Sequence, residues 1–182
     1  MDGASDTQAK WDPFGRPIFD DPAARGLDRV GVIDVGSNSV RLVVFDGAAR
    51  SPAYFYNEKV MCGLGAGMDG SGRLDPKGRE RALGAIARFA ALADGMELPP
   101  LTAVATAAVR EASDGKVFQD DVLRETGIKL WVIDGKEEAR LSAQGVLLGW
   151  PGSYGLVCDI GGSSMELADL AEGRVGRRVT SA

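Results

Sequence analysis

Two segments of this chain are near-copies of one another. Val32-Ile33-Asp34-Val35-Gly36-Ser37-Asn38-Ser39-Val40-Arg41-Leu42 aligns with Val157-Cys158-Asp159-Ile160-Gly161-Gly162-Ser163-Ser164-Met165-Glu166-Leu167, and Val, Asp, Gly, Ser and Leu coincide. Each copy reads as a buried strand, a turn of small residues and a second strand, the pattern of a hairpin. A unit that occurs twice with its Asp in the same place points to a duplicated architecture.

In both copies the Asp closes the first strand immediately before the turn. Glycine lets backbone N–H groups approach a ligand closely, and Ser or Asn side chains add donors, so such a turn makes a nest for phosphate oxygens. Gly36, Ser37, Asn38 and Ser39 are candidate phosphate-binding residues in the first copy, and Gly161, Gly162, Ser163 and Ser164 in the second. A carboxylate repels phosphate, so Asp34 and Asp159 are better suited to a metal ion or its water shell. Neither turn is a dinucleotide fingerprint, because each leads into a strand rather than a helix. The Gly-x-x-x-x-Gly-Lys-Ser/Thr phosphate loop is absent as well.

Composition narrows the chemistry further. Among 182 residues there is no His, which removes Ser-His-Asp and Cys-His nucleophiles and His-based zinc sites. Two Cys, at 62 and 158, make neither a four-sulfur zinc site nor a disulfide framework, and both read as structural, with Cys158 inside a buried strand. Hydrolytic chemistry here runs on carboxylates, hydroxyls, backbone N–H groups and hard metal ions. The formal charge of −5 argues against a nucleic-acid or anionic-membrane partner, although a local cleft can still take a polyanion. With no apolar stretch of membrane-spanning length and no secretory signal pattern, a cytoplasmic protein is expected.

The remaining text alternates strands and helices, which predicts an α/β class. Residues 1–28, rich in Pro, Gly and Asp, read as a disordered or loosely docked tail. Strands are expected at 30–35, 40–45 and 54–60, followed by a Gly-rich loop through 63–72. Asp75-Pro76 starts a helix whose apolar residues include Leu83, Ile86, Phe89 and Ala93, with Gly95 as terminator. A strand at 101–105 exits through Thr106–Glu111. A helix over 116–125 stops at Gly127, a strand covers 128–133 and a helix runs from about 136 to 148. The second repeat, with strands at 155–159 and 165–170, comes last. The Glu137-Glu138 pair opens the helix at 136, where carboxylates complement the helix dipole. Either Glu would serve as a base, and residue types alone do not choose between them.

These motifs, in this order, resemble the exopolyphosphatase/guanosine pentaphosphate phosphohydrolase family. The two loops are similar to its phosphate loops. Ala105-Thr106-Ala107-Ala108-Val109-Arg110-Glu111-Ala112 is similar to its Thr/Arg block, and Gly135-Lys136-Glu137-Glu138-Ala139-Arg140-Leu141 to its Gly-x-Glu-Glu-Ala-Arg segment. The resemblance implies the actin-like ATPase (ribonuclease-H-like) fold, with residues 29–150 as a first lobe and 151–182 as the first hairpin of a truncated second lobe. It implies Mg²⁺-dependent release of terminal orthophosphate from polyphosphate or of the 5′ γ-phosphate from guanosine pentaphosphate. Under it Glu138 is the general base, Arg110 contacts the phosphate under attack, and Thr106 adds a phosphate contact. Asp159 and Glu166, with Asp34, belong to the metal site.

Four further expectations accompany the resemblance. Ser163 stands where the family has Gly; if that position is left-handed, Ser costs about 1 kcal/mol, and its hydroxyl offsets this by donating to phosphate. Family members run well beyond this length, so the chain is expected to be part of a larger unit whose exposed strand edges favour association, a homodimer included. A non-catalytic phosphate-binding or regulatory piece is the alternative from a different class. A sugar or acetate kinase of the same architecture is disfavoured by the Gly-x-Glu-Glu-Ala-Arg block.

Overall fold

The β-branched runs flanking the first small-residue turn pair as antiparallel strands β1 (Arg29–Val35) and β2 (Ser39–Asp46). The computed structural model describes residues 29–46 and 53–181; the expected tail at 1–28 lies outside the described residues. Strand β3 (Ala53–Met61) adds to β2 antiparallel, while β4 (Thr102–Ala105) and β5 (Leu130–Val132) add to β1 in parallel, giving the order β3-β2-β1-β4-β5. Burial alternates along β1 and β2, as expected for strands with one covered face rather than two. Ile33, Val35, Val40, Leu42 and Val44 are fully buried on that face. They join one core with Ile86 and Phe89 of α2 (Pro76–Gly95) and Phe118 and Val122 of α4 (Gly115–Thr126).

The helix signals act as the sequence suggests. The Asp75 side chain accepts from the Gly78 N–H at 2.6 Å with Pro76 at the first helical position, and Gly127 caps α4 in the left-handed region. Helix α2 ends at Gly95, but the left-handed residue beyond it is Glu97. Two short helices fall where none is expected: α1 (Met68–Ser71) in the Gly-rich loop and α3 (Ala107–Glu111), which places Arg110 on a helix rather than a loop.

The larger corrections concern the second half. Residues 151–182 form more than a hairpin: β6 (Gly155–Ile160), β7 (Met165–Ala171) and β8 (Arg174–Ser181) make a three-stranded antiparallel sheet. The β7–β8 turn is Glu172-Gly173, both at positive φ, a two-residue connection matched to strand twist. Helix α5 (Gly135–Gly149), assigned from sequence to the first lobe, packs instead on this sheet. Ala139 and Ala143 bury against Ala168 and Leu170, with Val146, Leu147, Val157 and Val175 around them. Packing therefore divides the chain near Asp134 rather than at residue 150. Cys158 is exposed rather than buried, because it lies with Leu156 and Ile160 on the sheet face opposite α5. Among the described residues no helix is long and apolar enough to cross a membrane.

One buried charge ties the loop after β3 to α4. The Asp114 carboxylate accepts from the Leu74 N–H at 3.0 Å and pairs with Arg79 at 3.4 Å, and Arg79 in turn pairs with Asp121. Asp114→Ala leaves the Leu74 N–H and one face of Arg79 without a partner, so urea unfolding should show a loss of about 2 kcal/mol. A change within experimental scatter would remove Asp114 from the forces that hold this half.

Candidate active site

The parallel strands of the first sheet end level with one another. Val35, Ala105 and Val132 are register partners, so the first loop, Thr106 and the start of α5 all emerge along one edge. Carboxyl ends of parallel strands are where open α/β sheets place ligands. The Thr106 N–H donates to Val35 O at 3.2 Å, and the Ile133 N–H to Ala105 O at 3.1 Å, which fixes these exits against one another.

The two repeats match at the level of single bonds. Gly36 N–H donates to Ser39 O at 3.0 Å, and Gly161 N–H donates to Ser164 O at 2.9 Å. None of Gly36, Gly161, Gly162 or Ser163 has positive φ, so Ser at 163 carries no left-handed cost and that expectation is withdrawn. The carbonyls of Ser37 and Asn38, which would repel phosphate, are occupied by donors from Gly65 at 2.8 Å and from Cys62 and Gly63 at 2.9 Å. Across the gap the loops meet: the Ser37 and Ser163 hydroxyl oxygens lie 2.5 Å apart. A Cβ on Gly162 would stand 3.3 Å from that of Ser37.

The register also shows where the repeats diverge. Asp34 pairs across strands with Arg41, whereas Asp159 pairs with Glu166. Asp34 is reachable by water yet enclosed by the cleft. Burial raises its pKa, Arg41 and Lys59 oppose that, and the charge of Asp159 adds to it. Glu166 is 1% exposed; its Oε1 accepts from the Thr180 hydroxyl at 3.2 Å, and its Oε2 is buried without a hydrogen-bond partner. Thr180 sits against Gly135 so closely that a Cβ there would lie 2.3 Å from its hydroxyl oxygen. The Asp159 carboxylate accepts a hydrogen bond from the Ser142 hydroxyl. Ser142 and Thr180 were not singled out from sequence; only Ser142, four residues after Glu138 on one helix face, carried a signal that spacing reveals.

Geometry separates the two adjacent glutamates. Glu137 forms an ion pair with Arg140 on its own helix, while its backbone N–H bonds the Asp134 cap at 2.8 Å. Glu138 faces the cleft, its Oε2 3.3 Å from an Arg110 nitrogen. Arg110 also donates to Ile133 O at 3.2 Å and to Glu111 at 3.1 Å, so the surface pair with Glu111 exists beside the cleft contact. Burial first, and then the charge of Glu166, push the Glu138 pKa up to about 7 against the pull of Arg110. A carboxylate in that range is poised to take a proton near neutrality.

The acids suit a hard cation only in part by themselves. Among the described residues no three acidic or cysteine side chains gather tightly enough to enclose a metal. An orphaned buried Glu166 oxygen beside Asp159 nevertheless fits Mg²⁺, which takes one or two carboxylates and completes its shell with water and phosphate.

The chain is similar to proteins of one known family. The profile of the Ppx/GppA phosphatase family matches residues 43–181. Exopolyphosphatase 1 of Mycobacterium tuberculosis (strain H37Rv) is 35% identical over 143 residues, 77% of this chain and 42% of that protein. Exopolyphosphatase 2 of the same strain is 36% identical over 152 residues, covering 78% of this chain and 48% of its own length. The crystal structure of an exopolyphosphatase from Cytophaga hutchinsonii superposes with a TM-score of 0.78 at 32% identity, over 84% of this chain and 50% of that one. The Aquifex aeolicus PPX-GPPA enzyme gives 0.76 at 28%, over 85% and 52%. The chain thus spans about half the length of the relatives it matches, and it shares the mixed α/β fold of those solved structures.

Glu138 makes a pH test of the metal-free chain. Its folded pKa, about 7, lies above the ordinary 4.5, so between those values the folded chain binds more protons than the unfolded one. Its contribution is complete below the lower value and is lost as pH rises through the upper, on the order of 3 kcal/mol in all. In EDTA, stability to urea should fall between about pH 5 and about pH 8, and Glu138→Gln should flatten that fall. A profile untouched by the substitution would contradict the burial of Glu138.

Proposed function

This chain belongs to the Ppx/GppA phosphatase family, and from that premise we propose that it carries the catalytic half of a phosphoanhydride hydrolase. The substrate is inorganic polyphosphate, losing its terminal orthophosphate, and/or guanosine pentaphosphate, losing its 5′ γ-phosphate. The observation that carries the reading is Glu138: a cleft-facing carboxylate with a pKa near neutrality, held by an arginine and set among two phosphate-type loops. The names of the relatives, exopolyphosphatases, support the first substrate.

Hydrolysis of a phosphoanhydride demands an in-line water, a proton acceptor and neutralisation of charge on the transferred group. Glu138 takes the proton from water. Arg110 holds Glu138 on one side and offers its planar fork to the phosphate under attack. Gly36, Ser37, Asn38 and Ser39, with Thr106 and the facing Gly161, Gly162, Ser163 and Ser164, receive the phosphate oxygens through N–H and hydroxyl donors. Asp159 and Glu166, with Asp34 nearby, are the residues that would hold Mg²⁺, directly or through its waters. When bound, Mg²⁺ supplies positive charge to the phosphate oxygens.

Phosphate release from long-chain polyphosphate by the 182-residue chain, with Mg²⁺ and with EDTA, is the experiment. Glu138→Gln should lower turnover by about 10²- to 10⁴-fold while polyphosphate retention on a filter persists. Turnover that survives the substitution unchanged would defeat the assignment of the base. A wild-type chain that retains polyphosphate without releasing phosphate would support the alternative, a phosphate-binding or regulatory half of the same fold.

A further inference from the structure

Helix α5 carries two cleft-facing groups one turn apart, Glu138 and Ser142. A serine inside a helix commonly bonds back to the carbonyl four residues earlier, here that of Glu138. Ser142 instead directs its hydroxyl across to the second sheet and donates to Asp159 Oδ2. That reach depends on small residues: Ala139 and Ala143 flank Ser142 on the buried side of α5 and bring the helix close to Ala168 and Leu170. Asp159 is the penultimate residue of β6, beside the open loop Gly161–Ser164. No other protein partner for its carboxylate is present among the described residues. With Oδ2 held from α5, Oδ1 is left without a hydrogen bond among the described residues.

We propose that Ser142 is a positioning residue, which fixes the Asp159 carboxylate in the rotamer that serves the cation and couples it to the helix bearing Glu138. This rests on the reading of Asp159 as a Mg²⁺-side carboxylate. Hydrogen bonds to a ligating carboxylate set its orientation, and losing one such outer partner typically weakens metal affinity 10- to 100-fold. Without Ser142 the Asp159 side chain rotates freely at the end of an exposed strand. The helix and the loop then lose the bond that sets their relative placement.

The test uses the whole chain with Mn²⁺ as the paramagnetic stand-in for Mg²⁺, its binding followed by electron paramagnetic resonance without substrate. Ser142→Ala should weaken Mn²⁺ binding about tenfold, Ser142→Thr, which keeps the hydroxyl, should restore most of it, and Asp159→Asn should weaken it at least as much as Ser142→Ala. Thermal melts of the three variants in EDTA, close to that of the unaltered chain, would separate this effect from a loss of folding. If Asp159→Asn weakens Mn²⁺ binding and Ser142→Ala does not, the positioning role is wrong and the metal assignment survives. If Asp159→Asn also leaves Mn²⁺ binding unchanged, the metal reading of Asp159 fails and takes the Ser142 inference with it. Equal losses in Ser142→Ala and Ser142→Thr would likewise overturn the role of the hydroxyl.

Discussion

Like charges at short range are the constraint around which this cleft is organised. The charge of Asp159 reaches both Asp34 and Glu138, and that of the buried Glu166 reaches Glu138, across two sheets and a helix. Three features of the fold make that arrangement tolerable. Arg110 and Arg41 bring positive charge to Glu138 and Asp34; Ser142 and Thr180 donate to Asp159 and Glu166; and Glu138 itself retains a proton to near-neutral pH. What stays uncompensated is Glu166 Oε2, buried and without a partner. An excess of buried anionic charge with one orphan oxygen is the electrostatic complement of a small hard cation.

The hairpin repeat was legible because its physics is local. β-branched runs and small-residue turns specify strand–turn–strand without reference to the rest of the chain, and the matching Gly36 and Gly161 bonds follow from that identity. Helix α5 was legible as a helix for the same reason, with the Glu137-Glu138 pair in its first turn. Its partner was not. A stripe of Ala139, Ala143, Val146 and Leu147 states that a face is buried but not against what, so α5 was assigned to the wrong sheet. Strand β8 escaped notice because Arg174–Ser181 contains only two apolar side chains, Val175 and Val179, and its one strong cue is the Glu172-Gly173 turn.

The choice between Glu137 and Glu138 shows the same divide at the scale of one residue. Their sequence contexts are equivalent first-turn positions, and the helix dipole favours both. What separates them is which neighbour each meets: Arg140, one turn along the same helix, or Arg110, from a different element. Only the second is tertiary, and so only a fold resolves it. Cys158 fails in the opposite direction, since an apolar strand was read as buried on both sides while Leu156 and Ile160 beside it are 64% and 76% exposed.

The duplicated scaffold has been charged differently in its two halves. The residue facing the first Asp is Arg41 and the one facing the second is Glu166, so the first repeat balances its carboxylate and the second doubles it. The second hairpin therefore carries the greater negative charge, and in the first the Ser37 and Asn38 carbonyls are tied back by N–H donors. The Ser37–Ser163 hydroxyl pair sits on the line between these halves. An exposed bond of that kind contributes about 1 kcal/mol net. That is enough to set the spacing of two loops and too little to keep out a phosphate oxygen that offers both hydroxyls a charged acceptor. Because the Ser163 backbone is unstrained, its hydroxyl adds a donor at the meeting point of the loops at no conformational cost.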